Sequence, residues 1–169
     1  MDDAPKSEVK EFYRGKTVLV TGSSGFVGKV LLEKIVRSLP DIKRIYLMIR
    51  PKPNMTLMQR VHHQIFSTQL FAPLFRDRPD FNDWINEKII PIQGDLVLNE
   101  LGIKPEDRLR LVEEVDIILN GAASINFNDP MHESLQTNYF GSLRVQDLAK
   151  ECKHLVAMVH VSTAFTNCN

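Results

Sequence analysis

Cysteine is scarce in this chain: two in 169 residues, Cys152 and Cys168. Neither has the spacing of a metal-ligand set or a redox pair, which suits a reducing, intracellular compartment. The five histidines do not cluster with them, so no metal site is expected. An excess of charge of one sign is missing too. Lysine plus arginine equals aspartate plus glutamate, 21 against 21, so no overall field draws in nucleic acid or an acidic membrane. No apolar run approaches the roughly 18–20 residues that cross a bilayer. The polar start, Met1 to Lys10, lacks the apolar centre of a secretory signal, and 1–11 is expected to be a disordered leader. Repeats and low-complexity tracts are absent. These absences leave a soluble globular chain, long enough for one domain and its core.

What is present is concentrated in Lys16-Thr17-Val18-Leu19-Val20-Thr21-Gly22-Ser23-Ser24-Gly25-Phe26-Val27-Gly28-Lys29. A β-branched run ends in three glycines at three-residue spacing, and an amphipathic run follows (Val27, Val30, Leu31, Ile35, Leu39). Each glycine has a job in holding a dinucleotide. Gly22 allows the tight turn off the strand. Gly25, without a Cβ, lets the main chain approach a pyrophosphate. Gly28 lets the new helix pack close to the strand it left. The helix N-terminus then offers unpaired N–H groups to the phosphates.

Apolar and amphipathic runs alternate along the rest of the chain, the pattern of a doubly wound α/β protein with a parallel (Rossmann) sheet. Strands are expected at 17–21, 44–49, 88–92, 116–119 and 155–161, and helices at 26–38, 106–114 and 131–150. Leu135, Tyr139, Leu143, Val145 and Leu148 form the apolar stripe of the last helix. The 50–87 stretch is longer than one crossover helix needs and reads as a helical insertion between strands two and three. A linker is the competing reading, but Phe71, Phe75, Phe81 and Trp84 are too much apolar surface for one.

Candidate site residues fall at the carboxyl ends of these strands. Arg50 ends the second, where an acidic residue would bond a ribose 2′-hydroxyl; an arginine instead suits a 2′-phosphate and favours NADP(H). Lys52 and Arg44 add positive charge, and a solvated basic cluster is the alternative. Gly94-Asp95-Leu96 puts a carboxylate where it can accept from an adenine amino group, with Leu96 on the ring; a plain turn is equally compatible. Ala122 and Ala123 leave room for a ribose and nicotinamide, or simply turn a buried strand into a loop. Asn138 is polar within the long helix, able to bond a strand backbone, position a water or face solvent. Ser162 and Thr163 end the fifth strand with hydroxyls, one of which can donate to a carbonyl oxygen as charge develops there, or cap the strand.

In their order, Val-Thr-Gly-Ser-Ser-Gly-Phe-Val-Gly-Lys, Leu-Met-Ile-Arg-Pro-Lys, Pro-Ile-Gln-Gly-Asp-Leu, Asn-Gly-Ala-Ala-Ser-Ile-Asn-Phe, Thr-Asn-Tyr-Phe-Gly-Ser and Val-His-Val-Ser-Thr-Ala-Phe resemble the extended short-chain dehydrogenase/reductases. The closer likeness is to the amino-terminal part of alcohol-forming fatty acyl-CoA reductases of the male-sterility type. The resemblance implies that Gly22, Ser24, Gly25, Phe26 and Val27 form the pyrophosphate turn. It puts Arg50 on the 2′-phosphate, Asp95 and Leu96 beside adenine, Ala122 and Ala123 along the ribose, and Thr163 at the catalytic serine or threonine position. It implies NADPH as cofactor, long-chain fatty acyl-CoA as substrate and a primary alcohol as product. Membrane association at the endoplasmic reticulum or peroxisome is expected of full-length members. The family also uses a tyrosine with a lysine four residues on. Here Tyr13, Tyr46 and Tyr139 are followed at that spacing by Thr17, Arg50 and Leu143. The expectation is therefore an incomplete NADP(H)-binding domain over 12–169, truncated after about the fifth strand, with little turnover alone. A non-catalytic NADP(H)-binding protein and another extended reductase or epimerase are the alternatives.

Overall fold

The computed structural model describes residues 7–163. Within them, five strands, β1 (Thr17–Thr21), β2 (Arg44–Ile49), β3 (Ile89–Gln93), β4 (Ile117–Asn120) and β5 (Ala157–His160), form one sheet. Their order is β3-β2-β1-β4-β5, and every pair is parallel. The chain winds outward from β1 through β2 to β3, then crosses back to β4 and β5. The winding reverses between β1 and β4, and in such sheets a ligand crevice opens at the carboxyl ends there. β1 is buried along its whole length, as a central strand covered on both faces must be.

Alternation along the strands divides the core in two. Val18, Val20, Leu47, Ile49, Ile117 and Leu119 face one side, covered by α2 (Phe26–Ser38) and the insertion. Leu19, Tyr46, Met48, Ile92 and Ile118 face the other, with side chains of α6 (Pro105–Glu114) and α8 (Gly141–Glu151). On that second side Cys152 is buried, and desolvation pushes its thiol up to about 11, so it stays protonated at neutral pH.

The insertion opens with a capping box. Gln59 N–H donates to Thr56 Oγ1 at 3.1 Å, and Thr56 N–H to Gln59 Oε1 at 2.9 Å, starting α3 (Leu57–Val61). A π-helical turn over His62–Phe66 continues it, followed by α4 (Ala72–Asp77) and α5 (Phe81–Lys88). Phe66, Phe71, Phe81 and Trp84 are buried in the same cluster as β1 and α2. Phe66 and Phe71 meet edge to face at 5.0 Å, and the Arg78 guanidinium lies 5.4 Å from the rings of both Phe81 and Trp84. A linker would leave these rings in water; here they are core.

Three expectations need correction. The disordered leader does not extend to residue 11, because α1 spans Glu8–Tyr13, with Glu11 and Arg14 paired at 3.0 Å. Residues 1–6, like Ala164 and Cys168, lie outside the described residues. The buried face of α2 is turned by about one residue from the stripe read in sequence. Gly28, Leu32, Ile35 and Val36 face the sheet, while Val27 is 56% and Val30 45% exposed, because the helix approaches most closely where it has no side chain. Finally, the long last helix runs as α7 (Met131–Ser134), a π-helical turn over Leu135–Phe140, and α8. Val145 and Leu148 are buried, but Leu135, Tyr139 and Leu143 are exposed. The wider π turn shifts the phase of the repeat at Leu135 and Tyr139, while Leu143 lies on the side of α8 away from Val145.

Candidate functional site

Gly22 leaves β1 with φ +74°, and a Cβ there would lie 2.6 Å from the Gly121 carbonyl carbon. Both the left-handed conformation and the approach to the end of β4 require glycine. At Gly28 a Cβ would fall 2.1 Å from the Gly22 oxygen, so α2 sits directly on the turn. Gly25 differs: its Cβ would meet only the Gly22 oxygen, at 3.3 Å, and its other side is open to the crevice. The first helical bond of α2 runs from Lys29 N–H to the Gly25 oxygen at 3.0 Å. The N–H groups of Phe26, Val27 and Gly28 precede it and have no earlier helical carbonyl to use. Gly22, Ser24 and Gly25 line the crevice. The side chains of Phe26 and Val27 stand exposed beside it, and Gly28 is buried behind it. The buried Ser23 hydroxyl at this turn has no hydrogen-bond partner among the described residues.

The crevice holds about 580 Å³ and is also lined by Arg50, Asp95, Leu96, Ala122 and Ala123. It adjoins a second cavity of about 460 Å³ that shares Arg50, Arg60, Gly94 and Asp95 and adds Lys52. Arg60 escaped the sequence reading. It lies on α3, where its guanidinium donates to the Arg50 carbonyl oxygen and, at 2.9 Å, to Gln64 Oε1. The ten-residue gap hid it; the capping box that starts α3 is the signal that could have revealed it. Arg44 does not belong here. It begins β2, and a six-residue strand separates its two ends by roughly 17–20 Å; its guanidinium pairs instead with Glu114 at 2.7 Å.

Asp95 is half-buried in the loop after β3. Its Oδ1 accepts from Val97 N–H at 3.2 Å, and its own N–H donates to the Leu101 oxygen at 2.7 Å. The returning segment passes through left-handed Glu100 (φ 50°), Leu101 (φ 62°) and Gly102 (φ 58°). The carboxylate therefore shapes a turn and faces the crevice at once. Leu96 lines the crevice but is only 6% exposed, and a Cβ on Gly141 would touch its Cβ at 2.8 Å.

Past β4, Ala122 N–H donates to Thr21 Oγ1 at 3.1 Å. Asn138 clamps the following loop: its Oδ1 accepts from Ser124 N–H at 2.8 Å and its Nδ2 donates to the Ser124 oxygen at 2.9 Å. The amide thus holds backbone, at one remove from the crevice lining. Thr163 lies exposed beyond β5 and is not among the lining residues. A larger groove, about 980 Å³, runs along the outer side of the insertion past His62, Phe66 and Phe75. It shares no residue with the crevice, so it lies apart from the sheet edge where the chemistry-bearing side chains gather. Among the described residues, no group of three or more His, Cys, Asp or Glu could hold a metal ion. None of their helices is long and apolar enough to cross a membrane.

A doubly wound sheet, a glycine turn against a helix N-terminus and a crevice at the winding reversal define a dinucleotide-binding protein. The open side of Gly25 fits a dinucleotide's pyrophosphate at that turn. The family model described as male sterility protein, an NAD-binding type, matches residues 20–169, and the chain belongs to that family. Fatty acyl-CoA reductase 2 of Bos taurus is 39% identical over 163 residues, covering 96% of this chain and 31% of the relative. Fatty acyl-CoA reductase 1 of Arabidopsis thaliana is 39% identical over 163 residues, covering 95% and 33%. Among solved structures, the terminal R domain of the myxalamid PKS-NRPS biosynthetic pathway superposes with a TM-score of 0.70 at 29% identity, over 89% of this chain and 35% of that one. The chain spans about a third of the length of these relatives. Its cofactor is a nicotinamide dinucleotide.

Proposed function

We propose that this chain is the cofactor-binding part of an NADPH-dependent reductase that converts long-chain fatty acyl-CoA to a primary alcohol. The observation that carries the reading is that Arg50 and Arg60, whose guanidinium donates to the Arg50 carbonyl oxygen, both line one edge of the crevice, in a chain 39% identical to a fatty acyl-CoA reductase. Two guanidinium groups there suit a 2′-phosphate, because both carry positive charge and N–H donors, Arg60 being held in place by its bonds to Gln64 and the Arg50 carbonyl. The N–H groups at 26–28 face the pyrophosphate, with Ser24 and Gly25 beside it. Asp95 accepts from the adenine amino group above Leu96. Ala122 and Ala123 leave the ribose its space, and Asn138 holds their loop in place.

When bound, the reduced nicotinamide supplies hydride to a carbonyl carbon. Reduction of a thioester and then of the aldehyde it yields builds negative charge on oxygen twice. The Thr163 hydroxyl is the candidate donor to that oxygen. The work is intracellular, at the endoplasmic reticulum or peroxisome membrane, and fractionation of cells expressing the full-length protein tests that location.

Calorimetry with NADPH and NADH tests the cofactor assignment. NADPH should bind at least about ten-fold tighter, the equivalent of one charge-assisted contact. Arg50→Asp should narrow or invert the preference and Arg60→Ala should weaken it; an unchanged ratio in Arg50→Asp would remove that residue from the site. For the substrate class, a long-chain acyl-CoA should protect the full-length protein from heat. Protection by a UDP-sugar in its place would mean a nucleotide-sugar enzyme.

A further inference from the structure

The last residues of three neighbouring strands, Thr21, Asn120 and His160, occupy one register row across the sheet. Their side chains are joined in a single hydrogen-bonded chain that starts at the floor of the crevice. Ala122 N–H donates to Thr21 Oγ1 at 3.1 Å, and the Thr21 hydroxyl donates to Asn120 Oδ1 at 2.6 Å. Asn120 Nδ2 then lies 3.0 Å from His160 Nδ1.

The direction of this chain is set at Asn120. Its Oδ1 can only accept and faces Thr21, so the Thr21 hydroxyl passes its proton there and spends a lone pair on Ala122 N–H. That turns the Asn120 amino group toward β5, and an amino group of this kind also can only donate. His160 Nδ1 must therefore accept, which puts the proton of the neutral ring on Nε2. Thr21 and Asn120 are fully buried, while His160 is exposed at the sheet edge.

We infer that His160 is a positioning residue: as the Nε2–H tautomer it accepts from Asn120 and, through Asn120 and Thr21, fixes the Ala122 peptide against which the cofactor rests. The assignment rests on the cofactor reading above and extends it. It links the crevice floor to the segment that, three residues beyond His160, carries Thr163. No part of it requires His160 to touch cofactor or substrate.

Long-range proton–nitrogen NMR on the full, unaltered chain without cofactor reads the tautomer directly. A protonated Nε2 with a bare Nδ1 is expected, and a protonated Nδ1 overturns the inference. His160→Phe keeps a ring but removes the acceptor; His160→Asn places an amide oxygen near the position of Nδ1. His160→Phe should speed hydrogen exchange at the Ala122 amide and raise the NADPH dissociation constant about five-fold, the worth of one ordinary hydrogen bond. His160→Asn should restore both. Equal losses in the two variants, or an Ala122 amide indifferent to both, also overturn it. Should the unaltered chain fail to bind NADPH, that failure belongs to the cofactor reading, while the tautomer and the Ala122 exchange still decide the role of His160.

Discussion

The two ends of the sheet are built from the same strands and treated in opposite ways. At the amino ends, carboxylates take up main-chain and side-chain donors. Asp116 accepts from Thr17 N–H at 2.8 Å and from Lys16 Nζ at 3.4 Å. Glu114 accepts from Arg44 at 2.7 Å and from the Tyr46 hydroxyl at 2.8 Å. Burial opposes the charge on Glu114, yet those bonds from Tyr46 and Arg44 hold its carboxyl below the usual range. Burial and the bond to Glu114 push the Tyr46 phenol up to about 12. At the carboxyl ends, the chain has no side chain at Gly22, Gly25 and Gly121 and only a methyl at Ala122, and brings up Arg50 and Arg60, which form no ion pair among the described residues. Charges satisfied internally mark the structural end. Charges held over empty backbone mark the end that meets something else.

Substitutions can break this contrast. The largest effect is expected at Gly28, which belongs to structure although it sits in the cofactor motif. Gly28→Ala places a Cβ 2.1 Å from the Gly22 oxygen, and should cost about 3 kcal/mol in urea denaturation, the upper part of the range for overpacking. Gly25→Val adds bulk on the open side of the same turn. NADPH affinity by calorimetry should fall about 30-fold, near 2 kcal/mol, with the melting temperature moving by about 2 °C or less. If both variants lost stability equally, the division of labour between the two glycines would be wrong.

The smallest effect lies at the closed end. Tyr46→Phe should cost about 1.5 kcal/mol, as expected for a hydrogen bond to a carboxylate. Because the folded phenol titrates above its ordinary value, its contribution is complete below pH 10 and is lost as pH rises from 10 toward 12. Urea midpoints of the unaltered chain should fall across that window, and those of Tyr46→Phe should lack this component. A matching decline in both would place the alkaline weakness elsewhere.

The sheet, its helices and the glycine turn could be read from the chain because each rests on a local pattern: β-branched runs, helical spacing and residues that tolerate a tight turn. Arg60 is harder to read, since the capping box at Thr56 marks where its helix starts but not the direction that brings it to Arg50. Arg44 was misplaced for the complementary reason. Closeness in sequence along a strand is distance in space. Asn138 was ambiguous because an amide serves backbone, water or solvent equally well until the loop it clamps is known. The π turn that carries Leu135 and Tyr139 leaves no mark in an apolar repeat, and Leu143 lies on the side of α8 away from Val145.

One consequence of the insertion concerns how such a domain can be altered. Phe66, Phe71 and Phe81 share a single cluster with Leu32, Val36 and Leu47. Cutting 50–87 back to a short crossover would therefore uncover the part of this cluster that the insertion covers, as well as shorten a loop. A chimera that borrows this segment from another member of the family must carry the opposing faces of α2 and β2 along with it. The unit of exchange is the interface, and a graft that respects only the strand ends should yield protein that aggregates.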